Sequence, residues 1–156
     1  MRFFKLFSCF ALIALVLNGC GEPTKKRYVK FLGGGLTFNY RYSRATMVAV
    51  AKVVSPMNEG STIQVLFQIP GETERQKIVA PIVQNQLTYK IESKPLTGIK
   101  KDQPLSVDII AIDEKGVELD RVTTTFTSDL DQDSLPTKPL TDPNTPAYIP
   151  QLENLN

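Results

Sequence analysis

Three carboxylates at alternate positions near the C-terminus have the spacing of a calcium-binding loop. Asp129, Asp131 and Asp133 could supply some of the six to eight oxygens that a calcium ion takes as ligands. The pattern does not continue, because Ser134 stands where such a loop bends at Gly, and Leu140 stands where a bidentate Glu is needed. The sequence therefore predicts an acidic linker and no metal site, with these three aspartates as its calcium candidate.

Catalytic chemistry has few candidates in this chain. Its 156 residues include no His, which excludes His general bases, Ser-His-Asp triads and His-based zinc sites. The carboxylate pairs Asp108 with Asp113 and Glu118 with Asp120 are predicted on outward strand faces or at a turn, where nothing raises a pKa. The glycines at 33–35 lack the Lys and Ser/Thr of a phosphate-binding loop and predict a flexible hinge. We therefore expect neither an enzyme nor a cofactor.

The first twenty residues resemble the export signal of a bacterial lipoprotein. Arg2 and Lys5 precede an apolar run at 6–17, which is too short to span a hydrocarbon core of about 30 Å. The run ends in Leu-Asn-Gly-Cys at 17–20, which resembles the lipobox in its Leu, in its small residue before the Cys, and in Cys20 itself. An ordinary secretory signal peptide is the alternative.

The lipobox resemblance implies a signal peptide over residues 1–19 and diacylglycerol on the thiol of Cys20. Acyl chains would anchor the protein to the membrane without spanning it. Gly21 follows where retained inner-membrane lipoproteins of enterobacteria often have Asp, so the resemblance points to the outer membrane, facing the periplasm. Cys9 would leave with the signal peptide, and the remaining chain would depend on packing without a disulfide.

Charge is unevenly distributed along the chain. Removing Arg2 and Lys5 from the 18 basic residues leaves 16, equal to the 16 acidic residues, and we expect no nucleic-acid partner. Segment 25–44 carries six basic residues and no acid, whereas segment 128–156 carries five acids and one base. The basic segment is either attracted to phosphate-bearing head groups or is a solvated tether.

Apolar residues recur at every second position between residues 36 and 127. In one such run Ile63, Val65 and Phe67 alternate with Gln64, Leu66 and Gln68. This period is typical of half-buried strands. Residues 45–54 also fit a helical stripe, but their valines favour a strand. We predict seven strands, at 36–42, 46–54, 62–69, 75–83, 86–93, 105–112 and 118–127.

Seven strands at this spacing predict an all-β, two-sheet antiparallel sandwich, which resembles immunoglobulin and fibronectin type III domains in pattern and size. Five prolines among residues 128–156 predict a disordered tail. The predicted organisation is a signal peptide at 1–19, a lipid-anchored flexible basic tether at 20–35, the sandwich at 36–127, and an acidic proline-rich tail at 128–156.

One strand leaves apolar residues on its outer side. If Val107 and Ile109 face the core, Ile110 and Ile112 point outward, because successive side chains of a strand alternate. In the tail, Tyr148 and Ile149 form a compact apolar unit. We predict a docking surface here, occupied by the tail or by a partner. The alternative is a bulge that shifts the register and places both isoleucines in the core.

These features predict a lipid-anchored protein of the cell envelope that acts as a non-catalytic binding or assembly module. Its partners would be the membrane, through the N-terminal lipid, and another envelope protein. Two alternatives stay open. The chain is similar in size and layout to the anchored sandwich lipoprotein, of transthyretin-like kind, that type VI secretion machines use. A hydrolase accessory or an enzyme is the other.

Overall fold

Seven β-strands form in the computed structural model, which describes residues 25–140. They pack as two antiparallel sheets, as the period-two pattern predicted. No helix in this part of the chain is long and apolar enough to cross a membrane. The elements are β1 (Val29–Asn39), β2 (Arg44–Val53), β3 (Thr62–Gln68), β4 (Arg75–Pro81), β5 (Thr88–Glu92), β6 (Leu105–Ile112), β7 (Glu118–Phe126) and a 3-10 turn (Gln132–Ser134).

The three-stranded sheet has the order β1-β2-β5, and the four-stranded sheet has the order β4-β3-β6-β7. Because neighbouring strands are antiparallel, β1, β3, β5 and β7 begin at one end of the sandwich, where β2, β4 and β6 end. We call this end the base. Residues 25–28 lead into β1, so the chain enters the sandwich at the base.

The core lies between the sheets, where large side chains of one sheet pack against small side chains of the other. On the four-stranded sheet Val65, Phe67 and Ile109 are fully buried, on the faces that the alternation predicted. On the facing strand β2, Ala49 and Ala51 are fully buried as well. Small residues on one sheet leave room for branched and aromatic side chains from the other, which is how the two layers interdigitate.

The predicted start of the domain at residue 36 is wrong. Strand β1 begins at Val29, so residues 29–35, including the glycines at 33–35, lie in a sheet and not in a flexible tether or hinge. The strand also ends earlier than the predicted 36–42. Asn39 accepts a hydrogen bond from the Tyr42 backbone N–H, and Ser43 has a positive φ of 49°, which together turn the chain into β2.

The predicted boundary of a disordered tail at residue 128 is also wrong. Residues 128–140 pack on the end of the sandwich opposite the base, and Leu135 is 8% exposed. The Gln132 side chain accepts a hydrogen bond from the Ile99 N–H and donates one to the Leu96 carbonyl. This single amide satisfies backbone groups of the β5–β6 connection, which fastens the segment after β7 to the sandwich.

Gly34 is the position where β1 comes closest to its neighbours. Its φ is 150°, and an added Cβ would lie 2.1 Å from the Val48 carbonyl oxygen and 3.1 Å from the Phe126 ring. The Phe126 ring, from β7 of the other sheet, also packs 5.9 Å from Phe31, centroid to centroid. Only a residue without a side chain allows this approach. The same added atom at Gly35 would have no neighbour within 4 Å.

We therefore expect Gly34→Ala to destabilise the protein by on the order of 3 kcal/mol, because strained backbone and a backbone clash add together. Gly35→Ala is the matched control, and we expect its free energy of unfolding to stay within about 1 kcal/mol of the parent. Urea unfolding of the full chain measures both. Equal effects of the two substitutions would contradict this account of β1.

Candidate functional site

A buried carboxylate at the base joins the incoming chain to the far sheet. Asp120, on β7, is 2% exposed. Its Oδ2 accepts hydrogen bonds from the backbone N–H groups of Tyr28 at 2.8 Å and Val29 at 3.2 Å. The Nε of Arg27 lies 3.2 Å from the same oxygen, and Oδ1 accepts the N–H of Arg121. The start of β1 is thus fastened to β7, across the two sheets.

The environment of Asp120 favours its ionised form. Burial by itself raises the pKa of this carboxyl. The backbone N–H groups of Tyr28 and Val29 and the charge of Arg27 act against burial, and the resulting pKa lies below the ordinary value of 3.8. At neutral pH this residue is therefore a buried anion whose hydrogen bonds hold the chain where it enters the sandwich.

The outer face of the four-stranded sheet carries a second carboxylate, Asp108, on the central strand β6. Its Oδ2 accepts hydrogen bonds from Arg75 and Arg121, each at 2.8 Å, and its Oδ1 accepts one from Thr123 at 2.8 Å. The donors come from β4 and β7, so this carboxylate links both edge strands of the sheet across its face. The arrangement is an ordered ion network on an outward face.

Arg121 extends this network toward the base. Its guanidinium also contacts Glu118, with Nη2 2.6 Å from a carboxylate oxygen. The hydrogen bond with Glu118 raises the pKa of Arg121. The bond from Arg121 lowers the pKa of Glu118, and the nearby charges of Arg121 and Lys25 lower it further. Arg121 and Glu118 therefore each favour the charged form of the other at neutral pH.

The predicted docking surface requires an exposed Ile110, and this residue is not exposed. Ile110 lies opposite Gln64 and Arg121 in the register, on the outer face as the alternation requires, but it is 3% exposed. Arg121 bonds to Asp108 on one side of it and to Glu118 on the other, so the arginine side chain lies across this isoleucine. The prediction that Ile110 is exposed was therefore wrong, because this residue packs beneath an ion network.

The alternative of a shifted register is also only partly correct. A β-bulge lies between Ala111 and Ile112, yet Ile110 is on the outer face and does not join the core between the sheets. Ile112 is half-buried at the end of its strand. The other two residues of the predicted surface, Tyr148 and Ile149, lie outside the described residues, as does the lipid-attachment candidate Cys20.

The calcium candidate does not assemble. Asp131 accepts a hydrogen bond from the Lys101 N–H, and Asp133 pairs with the Lys100 ammonium at 3.2 Å. In residues 25–140 no group of three His, Cys, Asp or Glu side chains is arranged to hold a metal ion. These two aspartates instead fasten the segment after β7 to the β5–β6 connection. Asp129 is exposed beside them.

Of the four carboxylates considered for catalysis, one lies on the opposite face from the prediction. Asp120 shares the inward face of β7 with Val122, which is paired with the buried Ile109. Asp120 lies two residues before Val122, so the alternation that identified the apolar face of β7 also places Asp120 on that face. A buried anion at the edge of this face could therefore have been predicted from the sequence. Asp113 lies at the predicted turn, where its Oδ1 accepts the N–H groups of Lys115 and Val117.

Comparison with known proteins gives no family. No protein-family model matches the chain, and no characterised protein is significantly similar to it. Among solved structures, wild-type OgpA from Akkermansia muciniphila is 15% identical with a TM-score of 0.43, over 70% of this chain and 30% of OgpA. Catalytically inactive OgpA in complex with an O-glycopeptide substrate is also 15% identical, with a TM-score of 0.42. The chain spans less than a third of the length of OgpA.

Asp120→Asn tests the anchoring role of the buried carboxylate. At neutral pH we expect a loss of about 1 to 3 kcal/mol in the free energy of unfolding, because charge-assisted hydrogen bonds to Tyr28 and Val29 are weakened. The pKa of Asp120 is lowered in the folded state, so its ionised form stabilises the fold above pH 3.8. That contribution is lost as the pH falls through the folded-state pKa.

The cost of Asp120→Asn should therefore shrink as the pH falls from about 7 to about 3, in urea unfolding curves of the full chain. Asp129→Asn, at an exposed position, is the matched control and should have little effect at either pH. A difference between parent and Asp120→Asn that is constant across this range would show that the ionised carboxylate does not hold the chain.

Proposed function

We propose that this protein is a lipid-anchored component of the cell envelope, at the outer membrane, whose sandwich acts as a non-catalytic binding or assembly module. The lipobox-like motif at 17–20 supports the anchor. The observation that carries the proposal is the position of Asp120, which holds the backbone of Tyr28, only eight residues after Cys20.

This short separation sets how far the domain can act from the bilayer. Eight residues reach at most about 28 Å when fully extended, whereas a tether lasting to residue 36 would reach about 56 Å. With the chain held from Tyr28 onward, the anchor keeps the sandwich close to the membrane surface. Confinement of this kind raises the effective concentration of a binding module toward other membrane-bound components, without any added contact.

We also infer that the sandwich is immunoglobulin-like. In such folds strands A, B and E pair in one sheet, strands C, F and G pair in the other, and an added strand C′ lies next to C. The order β1-β2-β5 and the order β4-β3-β6-β7 fit this pairing when the strands are lettered along the chain and D is omitted. The missing Cys-Trp-Cys core does not affect the pairing. Domains of this class commonly serve in binding, although a fold alone does not specify a function.

Cys20→Ala tests the anchor. We expect the parent to incorporate labelled fatty acid and to sediment with membranes, and Cys20→Ala to lose the label, since the thiol that accepts the lipid is absent. Cys9→Ala is the matched control, because the same chemical change falls within the predicted signal peptide, and it should keep the label. Gel fluorography and cell fractionation are the measurements. Undiminished labelling of Cys20→Ala would refute the lipid anchor.

A further inference from the structure

Three lysines from three strands meet on the outer face of the three-stranded sheet, close to the base. Lys30 of β1 is directly opposite Lys52 of β2 in the register. Lys90 of β5 pairs with Val50, which places it diagonal to Lys52. Directly opposed side chains start about 5 Å apart and diagonal ones about 7 Å apart. All three are exposed, and we call them the basal lysines.

The basal lysines have no neutralising partner within ion-pair distance in the described part of the chain. Like charges directly opposite each other on a sheet are destabilising, so this arrangement does not serve the stability of the isolated domain. The nearest carboxylate on the same face belongs to Glu92, which lies two residues beyond Lys90 on β5, farther from the base. Glu92 accepts a hydrogen bond from Thr46. The positive surface therefore ends at Glu92 and continues toward the base.

Exposed apolar side chains lie beside these lysines at the base. Val54 follows β2 and is 46% exposed, and Leu87 precedes β5 and is 57% exposed. Both lie at the base, where the Val53 N–H donates a hydrogen bond to the Leu87 carbonyl. Apolar side chains bordered by lysines are the combination by which proteins bind at the surface of an anionic bilayer, where the apolar groups enter the head-group region and the ammonium groups meet phosphate.

The acidic residues of the base lie on its other side. Glu114, in the β6–β7 turn of the four-stranded sheet, accepts hydrogen bonds from Asn58, and Glu59 is in the same β2–β3 connection. The base therefore carries the basal lysines beneath one sheet, and Glu59 and Glu114, with Lys115 in the same turn as Glu114, beneath the other. An anionic surface would attract the first side and repel the second, which gives the domain a preferred tilt.

We infer that the basal lysines, with Val54 and Leu87, form a docking surface for the head groups of anionic lipids in the membrane that holds the anchor. The inference rests on the proposed lipid at Cys20, which lies eight residues before Tyr28. Eight residues reach at most about 28 Å, whereas β1 alone, with 11 residues, spans about 36 Å. The base can therefore face the bilayer, whereas an inverted sandwich would hold Tyr28 farther from the bilayer than the tether reaches.

A fluorescent probe at the base tests the docking. The acylated full-length protein is reconstituted into phosphatidylcholine vesicles with or without phosphatidylglycerol, with an environment-sensitive dye on Leu87→Cys and brominated lipids as quenchers. We expect quenching at residue 87 in the anionic vesicles and none at Leu130→Cys, which lies at the opposite end. A dye at Val117→Cys, beneath the acidic side of the base, should be quenched less than the dye at residue 87.

The lysines are tested by replacing all three with Gln. The ratio of docked to undocked protein should fall about fivefold for each basal lysine removed, and should fall likewise when salt is raised. The matched control removes Lys77, Lys94 and Lys101, three exposed lysines away from the base, and should leave quenching at residue 87 unchanged. Equal losses with both triple variants would overturn the inference, as would docking that persists without anionic lipid.

The two proposals fail in different ways in this experiment. If Cys20 carries no lipid, the protein does not sediment with vesicles of phosphatidylcholine alone, and the thiol of Cys20 takes up dye, which refutes the anchor. If the protein remains with the vesicles but residues 87 and 130 are quenched equally, the anchor stands and the docking surface is refuted. Support for the docking surface requires retention together with quenching that depends on the basal lysines.

Discussion

The hydrogen bonds that Asp120 accepts from the start of β1 are the constraint on which the placement of this domain depends. A buried carboxylate costs several kcal/mol in lost hydration unless charged and polar groups replace the water. Two of the replacement donors are the backbone N–H groups of Tyr28 and Val29, on the other sheet. Satisfying this anion therefore requires β1 to begin beside β7. The residue that joins the two sheets at the base therefore also fixes the chain at Tyr28, where it enters the sandwich.

The rest of the β1–β7 contact follows from that placement. Once β1 begins beside Asp120, the middle of this strand lies next to Phe126. The Phe126 ring fits there only because Gly34 has no side chain. Phe31 packs against the same ring from the other side. The Asp120 carboxylate near the start of β7 and the Phe126 ring at its end thus join β7 to β1. No backbone hydrogen-bond ladder connects these two strands, which belong to different sheets.

The sequence predicted the strands that are determined by their own pattern of apolar residues. It missed the segments whose structure depends on contacts with residues far away in the sequence. Alternation identified β3 and β6 and the faces they bury, because one buried face per strand leaves a period of two. It missed the first half of β1, since glycines have low strand propensity and the need for Gly34 comes from the Val48 backbone and the Phe126 ring, which belong to other strands. It missed the packing around Gln132 for the same reason. The direction of Ile110 was correct, but its burial depends on where Arg121 finds its two carboxylates, and no strand pattern contains that information.

Basic residues that are close in the sequence do not act together in the fold. In the basic segment 25–44, Arg27 faces Asp120 and Lys25 lies near Glu118, so acids of β7 offset part of its charge. Arg44 lies at the far end of β1, beside Tyr42. A positive surface arises instead from Lys30, Lys52 and Lys90, which are spread over sixty residues of sequence and join only through strand register. The fold thus gathers these charges on one sheet face, where strand register fixes their positions relative to Asp120.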